Sequence, residues 1–481
     1  MAEVWRYFAH EDDYPDLDEA ALAGRLAAAL AVPTVDGPTR EGTDWVAFDA
    51  LEALFRAQYP YVFAAGTVER VDHSLLITLA GSDMSLDPML LMGHMDVVPV
   101  VPGTEADWTH GAFSGFVDDE YIWGRGALDM TDQVVGDLEA VEYLLAHGAR
   151  LRRTLVLALG QDEETLQSGA RAMGRLLAER GVHLAFLVDE GDYEVADLAP
   201  YGAPGVRGMR VAVAEKGYAD VVLTVRSAGG HSSNPFGGTS LGILAEAIAR
   251  LARNEWPVEL TEPVRQTMAA VAPFVSVEPL RTLLKPEPDQ TWRDAVDAHA
   301  DGVARALAAR RETYPLVTTT VAPTMIRGGS AQANVMPQDM TAVVNYRMLP
   351  GVTCEDVLAR ARGLLADLPV EVSLRTEVSN SPSAVSRTDG WGFSVVERVA
   401  GRYFRDPGTG QALPLVPGIV VGASDAQMYD GVCDACLRFS AFVADADEVA
   451  RGVHGTNERI TRRAYAQGVR FTIRLLEECL L

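Results

Sequence analysis

The sequence predicts an α/β protein in which a mainly parallel sheet is sandwiched by helices and interrupted by an inserted α+β domain. Up to Lys216, short apolar runs alternate with amphipathic segments of helical spacing, a pattern typical of strands joined by crossover helices. After Lys216 the strands alternate only partly, which indicates a separate, smaller α+β unit. The predicted boundaries are 1–216 and 379–481 for the main domain and 217–378 for the insert.

The predicted elements follow the spacing of apolar residues. In the main domain we expect strands at 74–79, 89–92, 155–159 and 185–188, and helices at 16–32, 137–147, 170–179 and 457–478. Residues 51–63 are predicted as a helix running into a strand. In the insert we expect strands at 219–225, 316–322, 341–346 and 370–374, and helices at 240–253 and 354–365. The segment 257–315, rich in Pro, Glu, Asp and Arg, is predicted to decorate the insert.

Composition excludes several classes of protein. A chain of 481 residues is too long for one ordinary core, and its net charge of -26 argues against nucleic acid as a partner. Nothing approaches the roughly 18 apolar residues that a membrane span needs. The start, Met1 to Trp5, lacks the basic residues and apolar run of a signal peptide. We therefore expect a cytoplasmic protein that does not bind membranes.

The cysteines do not form a recognisable framework. They are Cys354, Cys433, Cys436 and Cys479. Cys433 and Cys436 have redox or zinc spacing, but no second pair accompanies them. The neighbouring Leu437 and Phe439 indicate a packed segment, which favours small buried thiols over a redox or structural-metal role.

Histidine and acidic residues follow the predicted strands of the main domain. They are His94 and Asp96, then Asp162, Glu163 and Glu164, then Asp189 and Glu190. Because ligands bind at the carboxyl ends of parallel strands, we expect these side chains to share one edge of the sheet. Adjacent carboxylates repel one another unless a cation or full solvation compensates. Asp129, in a glycine turn, and His454, before the last helix, are further candidates.

Each of these signals is weak alone. The pair His94 and Asp96 is by itself more often incidental, and Asp129 is more often a helix N-cap. Together, two histidines and at least three carboxylates form a natural ligand set for a pair of zinc ions. Such a pair needs a bridging carboxylate and a bridging water, and a spare carboxylate can accept the proton of that water.

In this order the motifs resemble the di-zinc amidohydrolase family of aminoacylases, carboxypeptidase S, bacterial glutamate carboxypeptidase, succinyl-diaminopimelate desuccinylase and cytosolic dipeptidases. The resemblance covers nearly the whole chain and rests on 93–99, 123–129, 162–164, 189–191, 229–233 and 454–455. Residues 123–127 and 454–460 are most similar to the carboxypeptidase S branch. The resemblance implies a zinc-exopeptidase-like catalytic domain and an insert that acts as lid and dimerisation domain.

The resemblance also implies roles for the site residues. Two Zn²⁺ ions per subunit would be held by His94 and Asp189 on one side and by Glu164 and His454 on the other, with Asp129 bridging them; Co²⁺ or Mn²⁺ are alternative metals. Glu163 would be the general base and Asp96 would orient His94. The implied activity is hydrolysis of an amide or peptide bond next to a free carboxylate, in short peptides or N-acyl amino acids.

Residues of the insert are expected to complete the site. In the family, the histidine that matches His231 reaches the active site of the partner subunit and stabilises the oxyanion, which implies a homodimer. Asn334, Arg347 and the loop from Gly422 match positions that contact the substrate. From the residues alone, His231 is favoured as a loop histidine in a Gly-Ser turn. Asn334 is equally a turn residue and Arg347 equally a surface ion-pair residue, and these alternatives stay open.

The sequence departs from the family pattern at several positions, and two alternative functions compete with the leading one. Met130 to Gln133 stand where a lysine and glycines are usual, and Gln161 and Ser424 also differ, which affects substrate details more than metal binding. One alternative is a non-catalytic metabolite- or partner-binding protein on the same scaffold, which the complete ligand set disfavours. The other is a carbamoyl-amino-acid amidohydrolase, disfavoured because such relatives often carry histidine where Asp189 stands.

Overall fold

The computed structural model describes residues 4–37 and 39–481, and in these ranges it contains eighteen strands and fourteen helices. The strands are β1 (Thr67–Val71), β2 (Ser74–Leu79), β3 (Met89–His94), β4 (Phe116–Val117), β5 (Tyr121–Trp123), β6 (Leu155–Gly160), β7 (Phe186–Asp189), β8 (Ala196–Asp197), β9 (Arg207–Glu215), β10 (Gly217–Arg226), β11 (Gly230–His231), β12 (Thr320–Gly328), β13 (Val335–Met336), β14 (Asp339–Met348), β15 (Glu371–Leu374), β16 (Leu415–Val420), β17 (Cys436–Arg438) and β18 (Arg459–Thr461). The helices are α1 (Glu19–Leu30), α2 (Trp45–Gln58), α3 (Pro60–Ala65), α4 (Thr131–Ala146), α5 (Ser168–Glu179), α6 (Ser240–Arg253), α7 (Glu262–Val271), α8 (Leu280–Leu283), α9 (Trp292–Ala298), α10 (Ala300–Ala308), α11 (Cys354–Leu364), α12 (Trp391–Tyr403), α13 (Ala446–Gly452) and α14 (Arg462–Leu480). The first three residues, on which part of the N-terminal prediction rests, lie outside the described ranges.

The main sheet has the strand order β1-β2-β6-β3-β7-β17-β9-β16, with β8 paired to β9. β3 runs parallel to both β6 and β7, β17 runs parallel to β7, and β16 runs parallel to β9. Among the described residues, the antiparallel pairs of this sheet are β1–β2, β2–β6, β8–β9 and β17–β9. The predicted α/β fold with a mainly parallel sheet is confirmed.

Helices cover both faces of this sheet. Met89 and Leu91 of β3 pack into the layer of α1, α4 and α14, whereas Leu90 and Met92 pack into the layer of α5. Every residue of β3 is buried, which explains why its sequence is a continuous apolar run. The predicted helix at 51–63 is instead two helices, because Pro60 starts α3, and the next strand begins only at β1.

The insert is a smaller antiparallel sheet of order β12-β14-β10-β15 with α6 and α11 packed against it. Buried residues alternate along β14, as expected for a sheet with one covered face. The strand predicted at 316–322 begins later, at Thr320, because residues 314–316 form a 3-10 turn that contains Pro315.

The segment 257–315 packs on the main domain. The prediction that it decorates the insert is wrong. α7 and α10 share a core with Val416 and Ile419 of β16, the edge strand of the main sheet. α7 carries an apolar stripe that includes Val264 and Met268, and this stripe covers the edge of the sheet. Composition alone does not show which of two apolar surfaces such a stripe will cover.

The chain passes between the two domains at four places in the described ranges, and these places lie together. Lys216 Nζ donates to the backbone oxygens of Pro315 (2.7 Å) and Thr318 (2.8 Å). Thr318 Oγ1 in turn donates to the carbonyl of Pro257 (3.2 Å), and the Tyr218 N–H donates to the carbonyl of Asn380 (2.8 Å). We name the segments 215–218, 256–257, 315–319 and 380–383 the hinge cluster.

Two further findings bear on the sequence predictions. All four cysteines are free and buried, in agreement with packed thiols. Among the helices of the described ranges, none has both the length and the apolar character that crossing a membrane requires.

Candidate metal centre

Three neighbouring strands bring the predicted site residues to one edge of the main sheet. His94 is the last residue of β3, the loop 161–164 follows β6, and Asp189 is the last residue of β7. β3 lies between β6 and β7, so the three strand ends are adjacent, as the sequence predicted.

Two groups of possible metal ligands meet at this edge and share Asp129. One group contains His94, Asp129 and Glu190, and the other contains Asp129, Glu164 and His454; within each group the ligand atoms lie within 4.8 Å of one another. Oδ1 of Asp129 is 3.2 Å from His94 Nε2, whereas Oδ2 is 3.1 Å from His454 Nε2. Asp129 therefore turns one carboxylate oxygen to each group, which is the geometry a bridging ligand requires.

Asp96 contacts His94 mainly through its backbone. His94 Nδ1 lies 2.9 Å from the carbonyl oxygen of Asp96 and 3.5 Å from its carboxylate. A carbonyl only accepts, so Nδ1 carries a proton and Nε2 faces the shared aspartate. The Asp96 carboxylate accepts the backbone N–H groups of Glu163 (3.1 Å) and Glu164 (3.0 Å). One residue thus orients both His94 and the acidic loop.

The structure places Glu190, not Asp189, in the ligand group with His94. The Asp189 carboxylate is buried and accepts the backbone N–H groups of Glu190 and Ala426, each at 2.8 Å. These hydrogen bonds join the end of β7 to the loop that contains Ala426. Glu190 lies one residue beyond the strand, and its Oε2 accepts a hydrogen bond from Tyr193 (2.8 Å).

The three adjacent carboxylates after β6 have different environments. Asp162 accepts the Gly169 N–H (2.8 Å) and the Ser168 hydroxyl at the start of α5, away from the ligand groups. Glu163 receives a hydrogen bond from Gln167 Nε2 (3.2 Å). Burial, and then the charge of Glu190, raise the pKa of Glu163 well above its usual value. This carboxyl group thus has an elevated affinity for a proton, which suits a general base.

The donor set fits a divalent cation. Two imidazoles and three carboxylates are ligands that zinc accepts, and the buried carboxylates leave an excess of negative charge. Hydrogen bonds to Asp129 and Glu164 raise the pKa of His454 to about 10. Burial opposes protonation of His94, but Asp96 and Asp129 outweigh it and hold the pKa of His94 well above its ordinary value. Both imidazoles thus lie where positive charge is stabilised.

Arg125 and Glu458 fix the loops that carry the shared ligand and His454. Glu458 accepts the backbone N–H groups of Leu128 (2.9 Å) and Asp129 (3.2 Å). Arg125 donates to Glu458 (2.6 Å) and to the carbonyl of Gly455 (2.7 Å). Neither residue was predicted to have a role, although both lie within motifs that carry the resemblance.

The predicted lid residues are outside the two ligand groups described above. His231 Nδ1 pairs with the Ser233 hydroxyl (2.8 Å), and the Asn334 carbonyl accepts the Ser232 N–H (2.9 Å), so these residues lie together on the β11–β13 pair. His231 and Asn334 are both exposed.

Arg347 lies beside the loop that begins at Gly422. Its guanidinium stacks over the Tyr218 ring (4.6 Å) and donates to the Val421 carbonyl (3.5 Å). A Cβ at Gly422 would meet only Val420, at 3.7 Å, so there is free space beside this backbone. Arg347 and Gly422 thus lie close together.

A buried network anchors this loop and was not predicted. The backbone N–H of Ser424 donates to Glu215 Oε2 (2.9 Å) and its hydroxyl to Oε1 (2.8 Å). Arg438, which is also fully buried, pairs with Glu215. The three residues come from β9, β17 and a loop, so no local sequence signal links them.

Comparison with known proteins agrees with this geometry. The model described as "Peptidase family M20/M25/M40" matches residues 90–478. The fold and the site define a hydrolase of the metallopeptidase class, whose members use a divalent metal. The chain belongs to peptidase family M20/M25/M40.

Relatives match along nearly the whole chain. The mouse (Mus musculus) "N-fatty-acyl-amino acid synthase/hydrolase PM20D1" is 31% identical over 96% of this chain and 89% of its own length. The "Probable carboxypeptidase S-like 2" of Dictyostelium discoideum is 31% identical over 97% and 87%. The M20 family metallo-carboxypeptidase Sso-CP2 from Sulfolobus solfataricus shares the fold, with a TM-score of 0.66 at 16% identity over 96% of this chain and 99% of its own.

Proposed function

We propose that this protein is a zinc-dependent hydrolase that cleaves an amide or peptide bond next to a free carboxylate. The observation that carries the proposal is Asp129, which turns one carboxylate oxygen toward His94 and the other toward His454. Two ions held about 3.5–4 Å apart need a carboxylate that reaches both. The two ligand groups with one shared member support a pair of Zn²⁺ ions, with Co²⁺ or Mn²⁺ as alternatives.

In this proposal the metal ligand beside His94 is Glu190, whereas the resemblance implied Asp189. His94 and Glu190 would hold one ion and Glu164 and His454 the other, and Asp129 belongs to both groups. Tyr193 donates to Glu190 and the Asp96 carbonyl accepts from His94, so these ligands are also held from outside the centre.

Glu163 is the general base in this proposal. Divalent ions bound here supply an acidified water and a polarised amide carbonyl. Glu163 accepts the proton of the attacking water and passes it to the leaving nitrogen. Gln167 and the Asp96 carboxylate hold the side chain and backbone of Glu163 in place. A second carboxylate, Glu164, stays next to His454 and takes no proton in this scheme.

The substrate is a short peptide or an N-acyl amino acid. Arg347 lies beside the Gly422 loop and forms no ion pair with another described residue, and a guanidinium binds a carboxylate with two parallel hydrogen bonds. Asn334 adds an amide group from the lid. The names of the mouse and Dictyostelium relatives, an N-fatty-acyl-amino acid hydrolase and a carboxypeptidase, support both kinds of substrate.

The proposal includes a homodimer in which His231 enters the partner's site. His231 is exposed, and Phe236 in the same turn is 96% exposed, an unusual position for a large apolar side chain. The edge strand β12 is exposed from Ala322 to Gly328, with Met325 and Ile326 turned to solvent, which suits pairing with a second copy.

The test is hydrolysis of N-acyl amino acids, dipeptides and N-carbamoyl amino acids by zinc-loaded protein. Glu163→Gln should lower kcat by about 10²–10⁴-fold while zinc remains bound, because only the proton acceptor is removed. Glu179→Gln, an exposed carboxylate on α5, is the matched control and should behave as wild type.

The outcomes separate the alternatives. Cleavage that depends on Glu163 supports the proposal, and the best substrate distinguishes a peptidase from a deacylase. Cleavage of the carbamoyl compounds alone would identify a carbamoyl-amino-acid hydrolase. Bound zinc without cleavage of any substrate would favour a metabolite- or partner-binding protein and contradict the proposal.

A further inference from the structure

A cavity of about 250 Å³ adjoins the metal centre and shares Glu190 with it. Its other walls come from residues 191–194, from Arg210 of β9, from Val420, Ala423 and Ser424, and from Val449 of α13. This volume has room for a long amino acid side chain.

The position of the cavity indicates which part of the substrate enters it. Val420, Ala423 and Ser424 line it, and they flank Gly422 on the loop that Arg347 contacts through Val421. The cavity therefore adjoins the loop that Arg347 contacts, where the proposed function places the free carboxylate. A side chain attached to the same carbon as that carboxylate is the group within reach.

The charges around the cavity leave an excess of one negative charge. Arg210 and Arg207 both act on Glu194 electrostatically, but three carboxylates share these two arginines. Arg210 pairs with Asp192 (2.9 Å), and Arg207 pairs with Asp197 (3.7 Å). Glu194, which also lines the cavity, makes neither an ion pair nor a side-chain hydrogen bond among the described residues. The cavity thus carries one excess negative charge apart from Glu190, whose charge belongs to the metal centre.

We propose that this cavity receives the side chain of the amino acid that carries the free carboxylate, and that Glu194 makes the enzyme prefer a basic side chain there. The inference rests on the proposed function and names its substrate class: compounds with lysine-like or arginine-like residues at the carboxylate end. The apolar walls formed by Val420, Ala423 and Val449 pack against the methylene groups of such a side chain, and its charged end reaches Glu194.

The test compares lysine with norleucine, which has a similar aliphatic chain but no charge. Both are presented with the acyl group or preceding residue that the wild-type enzyme cleaves best. The wild type should show a kcat/KM about tenfold higher for lysine, mostly through KM. Glu194→Gln should bring the ratio close to one, chiefly by lowering kcat/KM for lysine. Asp197→Asn, which removes a nearby carboxylate outside the cavity, is the control and should keep the ratio.

Two further measurements strengthen the test. The preference for lysine should weaken as sodium chloride rises from about 0.05 to about 0.5 M, because salt screens a partly exposed pair. Glu194→Asp keeps the charge and should keep the preference, so it decides the matter if Glu194→Gln also loses norleucine turnover.

The possible failures are distinct. Equal kcat/KM for both substrates in the wild type, or an unchanged ratio in Glu194→Gln, would overturn this inference and leave the hydrolase intact. Failure of the zinc-loaded wild type to cleave any substrate would instead contradict the proposed function.

Discussion

Arg125 and Glu458 form a buried ion pair, 2.6 Å between Nη1 and Oε2, that joins the loop of Asp129 to the loop of His454. Their side chains are 2% and 0% exposed. The two loops are more than 300 residues apart in the chain, and this ion pair is a buried part of the contacts that fix their relative position.

Arg125→Met should lower the free energy of unfolding by about 3–5 kcal/mol at neutral pH, because it leaves a buried carboxylate without its partner. Burial already raises the pKa of Glu458 to about 7. Between the ordinary carboxyl pKa and about 7, Glu458 is protonated in the folded protein but ionised in the unfolded chain. The stability that comes from this bound proton is therefore lost as pH rises through that window. Urea denaturation of the variant should show a smaller loss at about pH 5 than at about pH 8. An equal loss at both would contradict the assigned cause.

Glu190→Gln and Asp189→Asn should differ in metal content. Glu190 belongs to a ligand group, whereas Asp189 accepts two backbone N–H groups. We expect Glu190→Gln to weaken binding at one of two metal positions by at least about tenfold. Asp189→Asn should keep both metals and lower the melting temperature instead. Metal analysis after dialysis checks this, and loss of metal only in Asp189→Asn would restore the original assignment.

Metal binding should release protons. The pKa of His454 is raised to about 10 in the metal-free protein, so at neutral pH this imidazole is protonated and must lose its proton to bind a cation. Apparent zinc affinity should therefore rise with pH up to about 10, by up to tenfold per pH unit for this one group. Calorimetry in buffers of different ionisation enthalpy measures the released protons. Release that does not decrease in His454→Ala would contradict this assignment.

Lys216→Met should change how stability depends on pH. Burial, with a smaller effect of Arg347, lowers the pKa of Lys216 to about 7. Between about pH 7 and the ordinary lysine pKa the unfolded chain binds the extra proton, so the wild type gains stability as pH rises through that range. Relative to Lys216→Met it should gain about 2 kcal/mol between about pH 7 and about pH 9. Lys285→Met, at an exposed position, is the control and should show no such change.

Two inactive variants should restore activity when they are combined. If His231 acts in the partner's site, a mixed dimer of His231→Ala and Glu163→Gln has one site with both defects and one with none. Random pairing would then recover about a quarter of wild-type activity on co-expression. No recovery, with mixed dimers demonstrated by tagged purification, would show that His231 acts within its own subunit.

The sequence predicted those parts of the fold that depend on one segment at a time. Because β3, β6 and β7 are buried at every residue, their sequences are short apolar runs, which predict buried strands. β16 was missed because Pro417 and Gly418 disfavour a strand, yet it lies at the sheet edge where proline is tolerated. The position of 257–315 depends on contact between distant segments and could not be read from its composition.

Of the predicted metal ligands, His94, Asp129, Glu164 and His454 lie together in the structure, with Glu190 rather than Asp189 beside them. The choice between Asp189 and Glu190 depends on where β7 ends, and a shift of one residue turns a side chain to the opposite side. Glu215 and Arg438 come from separate strands and lack a motif, so only the folded chain shows that they hold the Ser424 loop.

The hinge cluster limits how the insert can move relative to the main domain. A domain inserted at a single point is connected by two chain segments, and it can both twist and swing about them. Here four segments cross, and Lys216 and Thr318 bind three of them to one another. Four joined crossings restrain the insert more than two would, which favours rotation of the insert about this cluster over other motions. Under the proposed function, Arg347 would then be held in place before substrate binds, so less orientational entropy would be lost on binding.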